Sequence, residues 1–246
     1  MSRVKHNALH QYTAGLNNAP ASTPAANLPF THPVFQGWKV YYWGMNDGET
    51  RADDVYWTPL AIASGGIGAG NENGLQITNN STDDNSGYLL TPNLVDLELT
   101  SDSKKFYMET RIMVTAANIN QIEWFIGLGL IVQGPQADGA AWTNDEMLGF
   151  GHLDADTVIS FLSIEDDGQQ IISLGSELTT ATYTKLSCYF DGTNFNVYLD
   201  DVLKGSTPMV YLNADEPWTA NFFMKSGYST EAQSLDIQYL LFAAEL

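Results

Sequence analysis

The sequence predicts an all-β protein: two antiparallel sheets packed as a jelly-roll sandwich, preceded by an extended N-terminal arm. Three observations carry this. Short apolar segments with period-2 alternation recur every ~8–15 residues from Ala61 onward, and no long stretch has helical periodicity. Turn-forming Gly, Asn, Asp, Ser and Thr are plentiful, while Lys and Arg total only ten, a balance that suits many reversals and few salt-bridged helices. The third observation is the segment Thr182–Gly205, which reads as three strands folded back on one another.

In that segment Leu186, Cys188 and Phe190 alternate with Lys185, Ser187 and Tyr189, as a strand with two unlike faces requires. Asp191-Gly192-Thr193-Asn194 supplies residues that accept positive φ, so the chain can reverse. Phe195, Val197 and Leu199 then alternate with Asn196 and Tyr198, and Asp200-Asp201 turns the chain again into Val202-Leu203-Lys204-Gly205.

The remaining elements follow in chain order. Residues 17–33 hold four prolines and no sustained periodicity, so they read as extended. The block from Phe35 to Gly44 contains Trp38, Tyr41, Tyr42 and Trp43. It reads either as an edge strand leading into a hairpin or as an interface platform, since Trp and Tyr bring large contact area at low entropic cost. The expected division is an arm over 1–52 with this aromatic anchor, and a sandwich over 53–246. Gly65–Gly70 has no helix signal after it and reads as a flexible turn. Leu75–Thr78, Tyr88–Leu90 and Lys105–Thr115 alternate as strands, and Ile122–Val132 is apolar enough to be covered on both faces. Leu148–Gly151, Val158–Leu162, Gln170–Leu174, Ala220–Lys225 and Leu235–Ala243 complete the set.

Bulk properties narrow the function classes. A net charge of −19 spread along the chain keeps a protein soluble and speaks against nucleic acid as a partner. No apolar run approaches the ~20 residues of a membrane span, and the N-terminus lacks the apolar core of a secretory signal, which points to synthesis in a cytoplasm. Cys188 is the single cysteine; it shares a strand face with Leu186 and Phe190 and reads as a buried, inert thiol.

The order of Trp124-Phe-Ile-Gly-Leu-Gly, Leu148-Gly-Phe, Tyr183–Gly192, Val197-Tyr-Leu-Asp-Asp and a closing alternating strand resembles the concanavalin-A-like (laminin-G/jelly-roll) sandwiches over roughly residues 53–246. Within that group the acidic, cysteine-poor chain resembles virion structural proteins of tailed bacteriophages. The resemblance implies a non-enzymatic capsid decoration or cement protein on the outer surface of the head. It would bind the major capsid protein and copies of itself, as a homo-trimer or other oligomer, through Phe35, Trp38, Tyr41, Tyr42 and Trp43. The alternative is a carbohydrate-binding, lectin-like module in which Trp57, Trp142 or Trp218, each beside polar loops, stacks on sugar; the other reading of the same three aromatics is core or interface packing.

Glucanases of this fold carry their acids on one strand as Glu-x-Asp-x-x-Glu or Glu-x-Asp-x-Glu, and no such string occurs here. Asp96-Leu-Glu98 lacks a third acid, Glu165-Asp-Asp167 reads as a turn, and Asp154-Ala-Asp156 beside His152 reads as a solvated loop. No catalytic residue is therefore assigned from sequence. The four histidines, at 6, 10, 32 and 152, lack ligand spacing, and neither a metal nor a cofactor is expected.

Overall fold

In a computed structural model the described residues are 38–44, 57–61, 65–69, 75–79, 87–92, 97–98, 105–129, 142, 146–154, 156–165, 168–175, 178–211, 217–226 and 233–245. They form sixteen strands: β1 Trp38–Gly44, β2 Trp57–Ala61, β3 Gly65–Ala69, β4 Leu75–Asn79, β5 Gly87–Pro92, β6 Leu97–Glu98, β7 Phe106–Thr115, β8 Ile122–Gly129, β9 Met147–His152, β10 Ser160–Glu165, β11 Gly168–Ser173, β12 Thr184–Phe190, β13 Asn194–Leu199, β14 Val202–Pro208, β15 Pro217–Ser226 and β16 Gln233–Glu245. The first sheet runs β14-β13-β12-β7-β16-β4-β3, with β1 also on β16. The second runs β11-β10-β9-β8-β15-β5-β2, with β6 also on β15. Every pairing is antiparallel. The concanavalin-A-like jelly-roll expected from sequence is the fold observed.

Alternation places one face of each sheet in a shared core. Phe106, Met108, Ile112 and Val114 of β7, Leu186, Cys188 and Phe190 of β12, and Leu240 and Phe242 of β16 meet Trp124, Ile126 and Leu128 of β8 and Leu148 and Phe150 of β9. Phenylalanines bridge the sheets: the Phe195 ring lies 5.2 Å from Phe161 across the interface and 5.2 Å from Phe190 beside it. Each fully buried phenylalanine contributes about 2–3 kcal/mol of transfer free energy, so this ring chain is a main fastening between the layers.

The two tight turns form as their residues predict. Gly192 takes a positive φ of 94°, and Asp191 Oδ1 accepts from the amides of Thr193 and Asn194 at 2.9 and 2.8 Å, an Asx-type turn. Asp200 and Asp201 both sit at positive φ, 47° and 66°, where Asp is tolerated because its short side chain bonds locally. Asp200 Oδ1 accepts from the Lys185 amide at 2.9 Å and Asp201 pairs with Lys185 Nζ at 2.5 Å.

One expectation changes. Gly65–Ala69 is not a turn but strand β3, its backbone paired antiparallel with β4. Glycines mask a strand signal that resides in side chains, while the backbone ladder needs none. Of the expected arm, residues 38–44 are described and form β1, antiparallel to β16 with Trp38 opposite Glu245 and Tyr41 opposite Phe242. Phe35 lies outside the described residues.

Candidate functional site

Each sheet has an outer face, and the two differ. On the first sheet the registers bring three cross-strand rows together. Tyr239 lies opposite Arg111, which lies opposite Lys185. Leu241, Glu109, Ser187 and Tyr198 form the second row. Ala243, Tyr107, Tyr189 and Asn196 form the third. The rows exist because β7, β12 and β13 place every second residue outward, and because a register shift in β16 between Ile237 and Tyr239 moves Tyr239 onto the Arg111 row.

Glu109 is the centre of this grid. Its carboxylate accepts from the Tyr239 hydroxyl at 2.7 Å and from the Tyr107 hydroxyl in a still shorter contact. Burial pushes its pKa above the ordinary carboxylate value, against the lowering influence of Lys185 and the two phenols. Raised carboxyl pKa values mark groups suited to hold or donate a proton. Ser187 Oγ, fully buried in the adjacent position on β12, has no hydrogen-bond partner among the described residues. Toward the solvent the grid ends in Tyr183, Arg111, Lys185, Asp201 and Tyr239, all only partly buried. The Arg111 guanidinium lies 4.6 Å from the Tyr183 ring centroid, a cation–π contact that holds both side chains in place. This corner offers aromatic surface beside charged hydrogen-bonding groups.

The outer face of the second sheet is closed. Phe125, Phe223, Met147, Leu162, Ile164 and Trp142 form a separate apolar cluster there, with Trp142 only 3% exposed. Glycines make room for it: a Cβ on Gly151 would come within 2.5 Å of the Trp142 ring, and one on Gly149 within 2.9 Å of the Phe125 ring. Two carboxylates border the cluster. Glu123 lies 3.6 Å from Lys225 Nζ, both side chains almost wholly buried, and Glu146 precedes β9 and is also buried. Met147 pairs with Gly129 at the far end of β8 from Glu123, so at ~3.3 Å per residue the two acids stand roughly 20 Å apart. Glycoside cleavage needs carboxyls about 5–10 Å apart; these two do not form such a pair. The outward positions of β9 are Met147, Gly149 and Gly151, and among the described residues no strand repeats acids at alternate positions.

Other sequence candidates resolve as follows. His152 is buried, with Nδ1 2.8 Å from the Ile122 carbonyl and Nε2 3.1 Å from the Asp156 carbonyl, so it faces backbone oxygens rather than a carboxylate. Trp142 and Trp218 are 3% and 1% exposed, core residues and not platforms for sugar. Cys188 is fully buried and its thiol pKa is pushed well up by burial, as a packing residue requires. Among the described residues no group of three or more His, Cys, Asp or Glu side chains could hold a metal ion. The Glu109 grid escapes sequence reading because its members come from strands far apart in the chain; the recoverable signal is the outward series Tyr107, Glu109, Arg111 on one strand.

No protein-family model and no curated protein matches the sequence. Solved structures do match the fold. The catalytic domain of an endo-1,3-β-glucanase (laminarinase) from Thermotoga petrophila aligns with 85% of this chain and 98% of its own, at TM-score 0.57 and 12% identity. A glycoside hydrolase family 16 endo-glucanase from Bacteroides ovatus aligns with 81% of this chain and 98% of its own, at TM-score 0.54 and 10% identity. The Emp47p carbohydrate recognition domain aligns with 82% of this chain and 94% of its own, at TM-score 0.57 and 11% identity. At these identities the likeness defines a class of fold, the concanavalin-A-like sandwich.

Two expectations are thereby corrected. One is a capsid decoration protein of a bacteriophage head, and the other is the absence of enzymatic activity. The fold instead stands beside sugar-cleaving and sugar-recognising proteins. The reason for the error is physical. Acidity, scarce cysteine and a proline-rich start report solubility and chain stiffness, not which molecule a sandwich engages.

Proposed function

We propose that this chain acts on carbohydrate, engaging a β-linked glycan at the corner of the first sheet formed by Tyr183, Arg111, Lys185, Asp201 and Tyr239, with Glu109 behind it. The observation that carries the reading is the breadth of the fold likeness, which takes in both glucanases and a carbohydrate recognition domain over more than four-fifths of the chain. The placement rests on access. The corner's side chains reach solvent, whereas the cluster on the second sheet is sealed. Sugar sites combine an apolar ring surface with a few fixed polar groups, and the Arg111–Tyr183 pair beside Asp201 supplies both. Glu109, buried with its two carboxylate oxygens held by the Tyr107 and Tyr239 hydroxyls, anchors Tyr239 at the edge of this corner.

The test is a panel of laminarin, mixed-linkage β-glucan and cello-oligosaccharides, scored for both retention and release of reducing ends. Retention or cleavage of at least one glycan is expected. Tyr183→Ala should weaken it about tenfold, equivalent to ~1.4 kcal/mol. Trp142→Ala is the control for the other face: loss there with Tyr183→Ala unaffected moves the site to the second sheet. If no glycan is retained or cleaved, the carbohydrate reading fails.

A further inference from the structure

The outer face of the first sheet is covered, although among the described residues no element lies on that side. All sixteen strands belong to the two sheets, and the second sheet packs against the inner face. The outward residues Tyr107, Tyr198, Ala243, Leu241 and Tyr189 are nevertheless only 1%, 3%, 4%, 5% and 7% exposed, and Ser187 between them is 0%. A tyrosine standing on an open sheet keeps its ring edge and hydroxyl in water. These exposures are those of one isolated chain, so the cover is a segment of the same polypeptide and not a second copy. It stops at the row of Tyr239, Arg111 and Lys185, which is only partly buried.

Position and chemistry single out residues 28–35, Leu-Pro-Phe-Thr-His-Pro-Val-Phe. β1 extends the covered rows, with Val40 opposite Ala243 and Tyr42 opposite Leu241, and its first residue, Trp38, stands opposite Glu245 at the margin of the face. The chain before Trp38 therefore arrives beside the covered rows, and Gln36-Gly37 permits a turn onto them. From β1 across β16, β7 and β12 to β13 is ~19 Å, which roughly six extended residues bridge. Prolines after Leu28 and His32 bias both toward extended backbone, and extended proline-containing segments seat on aromatic-lined surfaces.

Charge excludes the neighbouring segments. Residues 6–38 contain no Asp, Glu, Lys or Arg, so this stretch can lie over the buried Glu109 without burying a second charge. Residues 45–56 leave β1 at its other end, where Gly44 pairs with Tyr239 of the open row, and they carry Asp47, Glu49, Arg51, Asp53 and Asp54. Residues 99–104, which lead into β7, hold one large apolar side chain, Leu99. We propose that residues 28–35 lie as an extended strap across the outer face of the first sheet, with Leu28, Phe30, Val34 and Phe35 seated on Tyr107, Tyr189, Tyr198 and Leu241. This inference does not depend on the carbohydrate reading.

Photo-cross-linking in the full chain tests it. Tyr198→p-benzoylphenylalanine, irradiated and digested, should give a cross-link within one chain to the peptide holding residues 28–35. The reciprocal probe, Phe30→p-benzoylphenylalanine, should capture peptides of β7, β12 or β13, and it leaves the sheet itself unaltered. Capture at the stated peptides by either probe supports the strap. Phe30→Asp should raise nitration of Tyr107, Tyr189 and Tyr198 by tetranitromethane several-fold and leave that of Tyr183 unchanged, since Tyr183 lies beside Arg111 outside the covered rows. Cross-links from both probes to other segments, cross-links only between two chains, no cross-link from either probe, or nitration unchanged in Phe30→Asp each overturns the proposal.

Discussion

Tyr239 on β16 donates a 2.7 Å hydrogen bond to Glu109 on β7, and Tyr107 donates to the other carboxylate oxygen. The pair fastens neighbouring strands on the face opposite the core and fixes the protonation behaviour of the acid between them. Burial raises the Glu109 pKa above 4.5, while Lys185 and the phenols pull it down. The native state therefore holds the proton more tightly than the unfolded chain. That preference carries no penalty below the unfolded value, and a cost builds as pH rises from there to the folded pKa. Glu109→Gln should consequently compare better with the parent at pH 7 than at pH 4 in denaturant unfolding, a tenfold preference for the proton being worth ~1.4 kcal/mol. Tyr239→Phe removes one donor and should destabilise by about 1–3 kcal/mol at neutral pH. Insensitivity of both variants to pH would show that the acid is not held as described.

The Phe161–Phe195 contact, 5.2 Å between centroids at 56°, joins the sheets, and Phe195 also touches Phe190 and Phe106. Phe195→Ala should cost about 3–5 kcal/mol, measured by urea unfolding. Phe161→Ala in the same background should add less than its single value, because the two deletions share one cavity. Strict additivity would mean that the rings do not act together.

Much of this core was legible in the sequence because alternation is local: Leu186, Cys188 and Phe190 declare their shared face within five residues, and Asp191-Gly192 declares the turn that follows. The Glu109 grid was not, since it depends on registers between β7, β12 and β16 that no local pattern encodes. The same holds for the edge where β11 and β14 meet, where Gly205 lies against Ile172 only because the two strands end their sheets on the same side. For Trp142 the sequence leaves two readings, a sugar platform or a packed side chain. The structure gives the packed one: Trp142 covers Gly151, and its carbonyl accepts a 2.6 Å hydrogen bond from Gln169.

Asp191 tests the hairpin turn. Burial works to raise its pKa, but the amides of Asn194 and Thr193 and the side chain of Asn196 together outweigh this and hold it below 3.8. A lowered folded pKa stabilises the protein above the unfolded value and loses that contribution as pH falls through the folded one. The group is partly exposed, so screening keeps the electrostatic part small. Asp191→Ala should destabilise by about 1 kcal/mol at pH 7, as loss of a capping side chain does, and by less near pH 3. A difference that stayed constant across this range would assign the effect to something other than the carboxylate.

The glycines under the second sheet's outer cluster make the last test. A Cβ on Gly149 would lie 2.4 Å from the Ile126 carbonyl and 2.7 Å from Gly127 Cα, backbone atoms of the paired strand β8 that cannot yield without breaking the ladder. On Gly151 the nearest atoms belong to the Trp142 indole, at 2.5 and 2.9 Å, with the Trp124 carbonyl at 3.0 Å. Gly149→Ala should therefore cost about 3 kcal/mol, the upper part of the range for overpacking. Gly151→Ala should cost about half of that, because the indole can be displaced, and it alone should red-shift the tryptophan fluorescence as Trp142 gains water. Equal costs, or an unshifted spectrum in Gly151→Ala, would mean that Trp142 does not seal this face. That result would reopen the second sheet, where Glu123 and Lys225 lie, as the surface a glycan could reach.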